Sequence, residues 1–583
     1  MKLTGVDWAI IAGYFLFNLL IGLYYKQRAG KSIGEFFLSG RNVPWWLAGT
    51  SMVATTFAAD TPLVVTGLVA RNGIAGNWLW WNMVASGMLT VFLFARLWRR
   101  SGVTTDIELA ELRYAGPPAA ILRGFRSVYL GVLMNCIILG WVNLAMVKIL
   151  GLVLGISKSQ ALWVVVGIIA LTSFISALSG LWGVLVTDLF QFVIKMGMVI
   201  VLGVAAVRAV GGVEAMKQKL GGEGSAFLSF VPDLHSIWMP AITFFVYVGV
   251  QWWASWYPGA EPGGGGYVAQ RMFSAKDERH SLLATLWFNV AHYALRPWPW
   301  VVVGMASVIL YPHLPDPETG YVRVMIDYLP ASLRGLMVAA FAAAFMSTVG
   351  TQLNWGASYL VNDFYKRFIN RAASDRHYVT ASQIATVLLT IASAIITWYM
   401  GSIANAWKYL IATGAGTGAV YILRWYWWRI NAWSEISAML CAALTSFLLQ
   451  GVFGYDTDDP VAFAHMILIT VAVTTVVWLT ATFLTAPETD ATLLAFYRRV
   501  RPSPAGWKRI AALTPETPVS HDLGWNLFDW VCGCALIYCT LFGIGKLILL
   551  ETGTGLAFLA VAIIAAAAIY WDLTRRGWSS VME

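Results

Sequence analysis

Apolar positions in this chain run together in blocks of about twenty, with no sustained alternation of the kind a half-buried strand shows. A helix needs about 20 mostly apolar residues to cross a bilayer. Fifteen stretches meet that length, near 7–25, 45–70, 76–98, 124–155, 159–179, 183–209, 236–257, 281–311, 332–365, 377–401, 403–428, 432–453, 460–485, 525–550 and 554–573. The pattern predicts an all-α polytopic membrane protein. The first stretch has no basic segment before it and no small-residue cleavage site, so it reads as a retained helix. The polar segments between stretches are short, and no soluble domain fits. The longest, about 486–523, carries Pro502, Pro504, Pro515 and Pro518 and reads as a tether.

Composition supports this class. Of 583 residues, 58% are hydrophobic and 12% charged, where a soluble domain has about 25% charged. A disordered chain, a collagen-like fibre and a disulfide scaffold are excluded, and a soluble enzyme is disfavoured. The net charge is +9. Of the 39 Lys and Arg residues, 26 lie on one side of the predicted spans, 8 on the other and five within spans. The positive-inside rule then places the N-terminus outside and the C-terminus in the cytoplasm of a multi-pass cell-membrane protein. An odd number of crossings agrees. The basic excess is therefore topological, and no nucleic-acid module is visible. Outer loops include acidic, proline-rich segments at 312–318 and 455–460. Cys136, Cys441, Cys532, Cys534 and Cys539 all fall in apolar stretches, and their spacing lacks the paired C-x2-C of a zinc site. No disulfide and no structural metal are expected.

Polar groups inside spans carry the chemistry. Irregular backbone survives at membrane depth only where it is buried in protein or lines a cavity. The second stretch holds Asp60 and Pro62 near its middle. Proline cannot donate an amide hydrogen bond, so a break there frees carbonyls over Ala54–Ala58, hard oxygens suited to a small cation. Ser347 and Thr348 form an adjacent hydroxyl pair in the small-residue ninth stretch. Such hydroxyls also bond back to the i−4 carbonyl. In the sixth, Asp188 either steadies a cation or pairs with Lys195, seven residues on and on the same face. An intramembrane carboxylate is costly and functional by default. In the eighth, Arg296 precedes Pro297 and Pro299; it meets Asp60 or Asp188, or holds a substrate carboxylate bidentately. His292, one turn away, reads as a satisfied core group. The seventh ends in Gln251, Trp252, Trp256 and a glycine run at 263–266, read as a flexible, bent segment. Gln251, Trp252 and Trp256 suit a ligand with hydroxyls and an apolar face, or serve an interfacial belt. The glycine-rich 412–418 allows a thin helix or a local break.

Ordered motifs accompany these features. They are FLSGRNVPWW at 37–46, TDIELAELRY at 105–114, LSGLWGVLVTDLFQ at 178–191, QRMFSAK at 270–276, AAAFMST at 342–348 and NDFYK at 362–366. In this order and spacing, over about 30–430, they resemble the sodium:solute symporter family, whose members carry sugars, proline, sialic acid, pantothenate and iodide. The resemblance implies a LeuT-type fold of two inverted five-helix repeats around a midplane site. A leading helix with its inner loop would occupy 1–44, the repeats 45–210 and 236–429, and four added helices with a short tail 430–583. Sodium would be held by the carbonyls of Ala54, Phe57 and Ala344 and the hydroxyls of Ser347 and Thr348, with no other metal. Asp188 would stand on its release path, and Tyr247 would gate the inner side. Asp60 is a candidate for a second cation.

The chain departs from the sugar carriers. Thr61 stands where they place a glutamine, their following acidic residue is replaced within 79–82, and the segment after Trp252 is about fifteen residues longer. Substrate candidates are Ala58, Thr61, Trp81, Gln251, Trp252 and Arg296. The expected function is sodium-coupled import of a small organic solute: a sugar, an amino acid or a carboxylate. The alternatives are proton coupling on the same fold, a membrane-embedded enzyme built on His292 and Asp188, and a transport-like sensor. No acid–base constellation or signalling domain is visible, so an enzyme is not expected. The oligomeric state is not specified.

Overall fold

The computed structural model describes residues 3–29, 39–103, 105–222, 224–518 and 522–576. Residues 37 and 38, and the side chains of 173–184, which carry parts of two motifs, lie outside the described set. Among the described residues the chain is helical, with one isolated bridge between Val43 and Ala275. The principal helices are α1 (Gly5–Ala29), α2 (Trp45–Thr56), α3 (Asp60–Asn72), α4 (Ile74–Ser101), α5 (Gly116–Leu154), α6 (Lys158–Ala209), α7 (Ala241–Ala254), α8 (Gly266–Ser274) and α9 (Glu278–Leu310). They continue as α10 (Gly320–Tyr328), α11 (Ala331–Ile369), α12 (Asp375–Tyr399), α13 (Ile403–Thr413), α14 (Gly418–Tyr426), α15 (Ala432–Gly451), α16 (Pro460–Leu484), α17 (Asp490–Val500), α18 (Leu523–Ile548) and α19 (Thr552–Arg575).

Helix coincides with every predicted stretch. Among the described residues, ten helices are long and apolar enough to cross a membrane, or eleven with α2 and α3 as one bent span. The two stretches expected at 159–179 and 183–209 join in the single 52-residue helix α6. At 1.5 Å per residue that is roughly 78 Å; among its described residues, Leu185–Ala209 satisfies length and composition for a crossing by itself. Glycine weakens a helix by only about 1 kcal/mol, and no proline interrupts this run.

The arrangement places α2 at the centre. It packs against α6, α9 and α11, while α1 lies across α6 and α11. The last four long helices form two pairs, α15 with α16 and α18 with α19. Burial within the protein falls from centre to edge: the apolar part of α4 is 94% buried, those of α18 and α19 only 28%. The outward faces of these last two helices are apolar, with Val531, Ile563, Ile564 and Tyr570 exposed, as lipid-facing helices require.

Two polar segments read as loops are packed. In the acidic stretch at 312–318, Glu318 is fully buried. Its carboxylate accepts from the amides of Ile403 and Ala404, the Ser402 hydroxyl and the Lys148 ammonium. It thereby caps α13 from outside, where a negative charge meets the positive end of the helix dipole. The presumed tether at 486–523 contains α17, whose Leu493, Phe496, Tyr497 and Val500 are buried. Trp507 is also buried, donates to the Trp425 carbonyl at 2.8 Å, and lies 4.9 Å from the buried Arg113 guanidinium. Aromatic residues every few positions turn this stretch into a packed layer, despite its four prolines.

Candidate cation and solute site at the broken helix

The second stretch breaks where expected. α2 ends at Thr56, α3 begins at Asp60, and their axes differ by 61°. Phe57 leaves helical geometry at φ −86°, ψ 60°; its amide is the last to bond back into α2, to the Val53 carbonyl at 2.9 Å and the Ala54 carbonyl at 3.2 Å, and these end carbonyls keep lone pairs for other donors. Charged and polar side chains from two other helices meet them. Lys195 of α6 donates to the Ala54 carbonyl at 3.3 Å and the Phe57 carbonyl at 3.1 Å. Arg296 donates to the Val53 carbonyl at 3.4 Å and the Thr56 hydroxyl at 3.0 Å. Both cations also lie over the Phe57 ring, at 5.5 and 5.7 Å from its centre. Cations at the carbonyl end of a half-helix match its dipole.

Arg296 is placed by the distortion that its two prolines require. A wide π turn over Val290–Leu295 precedes Pro297, and the Arg296 amide donates five residues back, to Ala291. This turns His292 and Arg296 toward α2. His292 Nε2 lies 3.3 Å from an Arg296 nitrogen that can only donate. The imidazole therefore accepts there, carries its proton on Nδ1 and donates to the Thr56 hydroxyl at 3.1 Å. His292 is a satisfied core group, as read from the sequence. Arg296 forms no direct ion pair with Asp60 or Asp188; backbone, hydroxyl, imidazole and aromatic faces take its charge.

The sodium-site residues expected by resemblance lie around the same break. Thr348 donates to the Ala344 carbonyl at 3.0 Å, the back-bond anticipated for a helical threonine. That bond holds two hard oxygens side by side, with lone pairs still free. Ala344, Phe57, Ala58 and Lys195 line one small cavity of about 10 Å³, roughly the room of a single water. Ser347 donates to Asp188 at a long 3.5 Å, and Ser51 donates to the other Asp188 oxygen at 2.6 Å. Asp188 thus ties α2, α6 and α11 together. The donor set suits sodium in its chemistry: hard oxygens from two helices and no soft ligand. Two of its five oxygens already face an ammonium.

Asp60 is buried at the start of α3, with Arg296 and Trp407 as charged and polar neighbours. Thr61 is buried and donates to the Thr56 carbonyl at 3.4 Å. Ala58, Thr61 and Arg296 therefore gather at the break. The other solute candidates find partners elsewhere. Gln251 donates to the Leu79 carbonyl at 3.0 Å, which ties α7 to α4. Trp252 lies against Trp530 of α18 at 5.5 Å. Trp81 is packed among Trp78, Trp80 and Phe542. Its neighbour Trp80 is the one that reaches the site, stacking on Tyr293 at 5.7 Å and edge-on to His292 at 5.9 Å. Tyr247 lines a cavity of about 340 Å³ with Arg71, Lys408 and Asp458, at the end of the bundle opposite Arg41, Arg99 and Arg100. Its ring meets Phe463 of α16, a helix outside the resemblance.

Sequence reasoning missed the contacts of Lys195, and also Ser51 and Arg271. Arg271 reaches the hydroxyls of Ser51 and Thr55, at 3.4 Å each. Hydroxyls at positions 51 and 55, one turn apart on the broken helix, were the available signal.

The glycine run at 263–266 is not a flexible segment. Gly263, Gly264 and Gly266 adopt positive φ, which L side chains rarely do. The Trp98 indole donates to the Gly263 carbonyl at 2.7 Å. Before the run, the chain crosses the break between α13 and α14: Gly416 donates to the Ala254 carbonyl at 2.9 Å, and the Trp256 amide reaches the Gly414 carbonyl at 3.4 Å.

Comparison with known proteins agrees with this architecture. The model of the sodium:solute symporter family matches residues 36–442. Solute carrier family 5 member 4B of Mus musculus is 24% identical, over 84% of this chain and 81% of its own length. The sodium/glucose cotransporter of Vibrio parahaemolyticus is 24% identical, over 77% of this chain and 86% of its own. In three dimensions, a Na+-coupled sialic acid symporter in a substrate-bound outward-open state gives a TM-score of 0.66 at 20% identity. The likeness covers 83% of this chain and 99% of that one, and it establishes a shared fold. With a family match over most of its length, the chain belongs to the sodium:solute symporter family, membrane transporters and not enzymes.

Proposed function

We propose that this protein imports a small organic solute together with sodium by alternating access. Sodium binds between the break after α2 and the hydroxyl pair of α11, and the solute binds beside it, near Ala58, Thr61 and Arg296. The observation that carries this reading is the pair of carbonyls at Ala54 and Phe57, which stand at the broken end of α2 and already face a cation. Sodium entry draws the ends of α2 and α11 together. The solute then closes the outer path, and the bundle rocks to release sodium past Asp188. With the basic loops in the cytoplasm, one sodium crossing about 150 mV supplies roughly 3.5 kcal/mol. A tenfold sodium gradient adds about 1.4 kcal/mol. Together they support roughly 3000-fold accumulation for one sodium per solute.

The solute class follows from the site only in outline. Arg296 offers charge, Thr61 a hydroxyl, and Trp80 and Tyr293 flat apolar faces, which fits a sugar, an amino acid or a carboxylate. A thermal-shift screen of these three classes, with sodium or with choline, selects among them. The sodium assignment is tested by Ser347→Ala combined with Thr348→Ala. The double variant should fold and lose sodium-stimulated uptake; unchanged sodium dependence defeats the assignment.

A further inference from the structure

The carbonyls that the proposed function gives to sodium already hold a cation that belongs to the chain. Lys195 is 3% exposed. Its ammonium has two hydrogen-bond acceptors, the carbonyls of Ala54 and Phe57, and the face of the Phe57 ring beneath it. It lines the small cavity that Phe57 and Ala344 also line. An ammonium and a sodium ion carry the same charge and seek the same hard oxygens. Two such ions a few ångströms apart, away from water, repel strongly. The cavity beside Lys195 has room for about one water-sized particle, so sodium cannot take the full set of oxygens while the ammonium stays on two of them.

We infer that the Lys195 ammonium is a tethered occupant of the sodium locus, and that sodium binds there by displacing it. This rests on the proposed function and sharpens its ion step into an exchange of one cation for another. In the sodium-free protein the ammonium bridges the open end of α2 to α6, which keeps the broken helix in place. When sodium arrives, the ammonium withdraws along its four-carbon stem. Side chains on a helix lean toward its N-terminus, and Asp188 lies two turns back on the same face of α6. Its carboxylate is the anion toward which the displaced charge swings. It is already within electrostatic reach of Lys195, and Arg271 and the hydroxyls of Ser51 and Ser347 hold it in place. The ion and the lysine then alternate on one set of carbonyls, so apparent sodium affinity is set by the difference between them.

The test is a sodium chloride titration of the purified full chain at fixed pH and ionic strength, balanced with choline chloride, and read by melting temperature and tryptophan fluorescence. Wild type, Lys195→Met and Lys195→Arg are compared, with Lys195→Gln held in reserve should the methionine variant fail to fold. Removing the tethered charge should lower the sodium concentration for half-saturation at least tenfold. In choline alone, Lys195→Met should melt lower than wild type, and sodium should restore it. Lys195→Arg should keep the weak response of the wild type. Equal or weaker sodium affinity in Lys195→Met overturns the displacement and leaves sodium symport standing, provided the wild type responds to sodium. Absence of a sodium response in every variant overturns both.

Discussion

In its core the chain unwinds after α2 and again at a second site, where the interruptions between α7 and α8 and between α13 and α14 meet, and the two sites are closed by different means. After α2, the end carbonyls of Val53, Ala54 and Phe57 are met by the long side chains of Arg296 and Lys195. Between α7 and α8, and between α13 and α14, backbone meets backbone: Gly416 to Ala254, Trp256 to Gly414. The indole of Trp98 and the carboxylate of Glu261 close the remaining groups, at Gly263 and Gly259. Side-chain partners on flexible stems can leave and be replaced by an ion. Backbone partners, brought together by the lack of a Cβ, cannot. The first break is built for exchange and the second for support, although both look alike as helix interruptions.

The sharpest way to break this contrast is at Gly418. A Cβ there falls 1.9 Å from the Trp253 carbonyl oxygen and 2.8 Å from the Pro262 ring. The oxygen belongs to the end of α7 and has nowhere to go. Gly418→Ala should destabilise the fold by about 3 kcal/mol or more, the upper range of overpacking. Loss of monodisperse protein and a large fall in melting temperature would show it; a normal melting temperature would mean the second break yields as readily as the first. Trp98→Phe should come next, at about 2 kcal/mol, because it leaves the buried Gly263 carbonyl without its donor. Its mark should be a lower melting temperature with the same sodium dependence in the protein that survives. A changed sodium dependence would erase the distinction between the breaks.

The two breaks were unequally legible in the sequence. Asp60 and Pro62 announced the first, because a proline in an apolar run removes a donor at a fixed place. The glycine run at 263–266 announced irregularity without its consequence. Glycine permits flexibility and close packing alike, and the Trp98 indole that decides between them lies more than 160 residues away. The position of Lys195 was hidden for a related reason. Helical spacing correctly set it on the face of Asp188, yet a lysine stem spans several ångströms, and spacing does not say which acceptor its ammonium chooses. The surroundings of Trp81 and Tyr247 were also hidden, because helices outside the resemblance touch them. Phe542 of α18 covers Trp81, and Phe463 of α16 meets Tyr247.

Ser51→Ala probes the exchangeable break from its anionic side. It removes the 2.6 Å hydrogen bond that steadies Asp188. A hydrogen bond to a charged group contributes about 1.5 kcal/mol or more, so the sodium concentration for half-maximal uptake should rise about tenfold while the protein still folds. Collapse of folded yield with unchanged sodium dependence would place Asp188 among the structural ties and not on the ion path.

Phe57→Leu carries the smallest expected effect and separates two roles of one residue. The Phe57 carbonyl is backbone and survives the substitution. The ring is lost, and with it the π face shared by Lys195 and Arg296 and the edge contact with Trp300 at 5.0 Å. Leucine replaces much of the apolar volume but offers no quadrupole. A cation–π contact is worth about 0.5–1 kcal/mol, rising when desolvated. If the ring helps to seat the tethered ammonium, its removal should favour sodium in the competition, and half-saturation should fall about threefold, opposite in sign to Ser51→Ala. A rise instead would mean that the ring steadies the carbonyls for sodium itself. The sign therefore reads out which cation the first break is shaped to hold when the transporter is at rest.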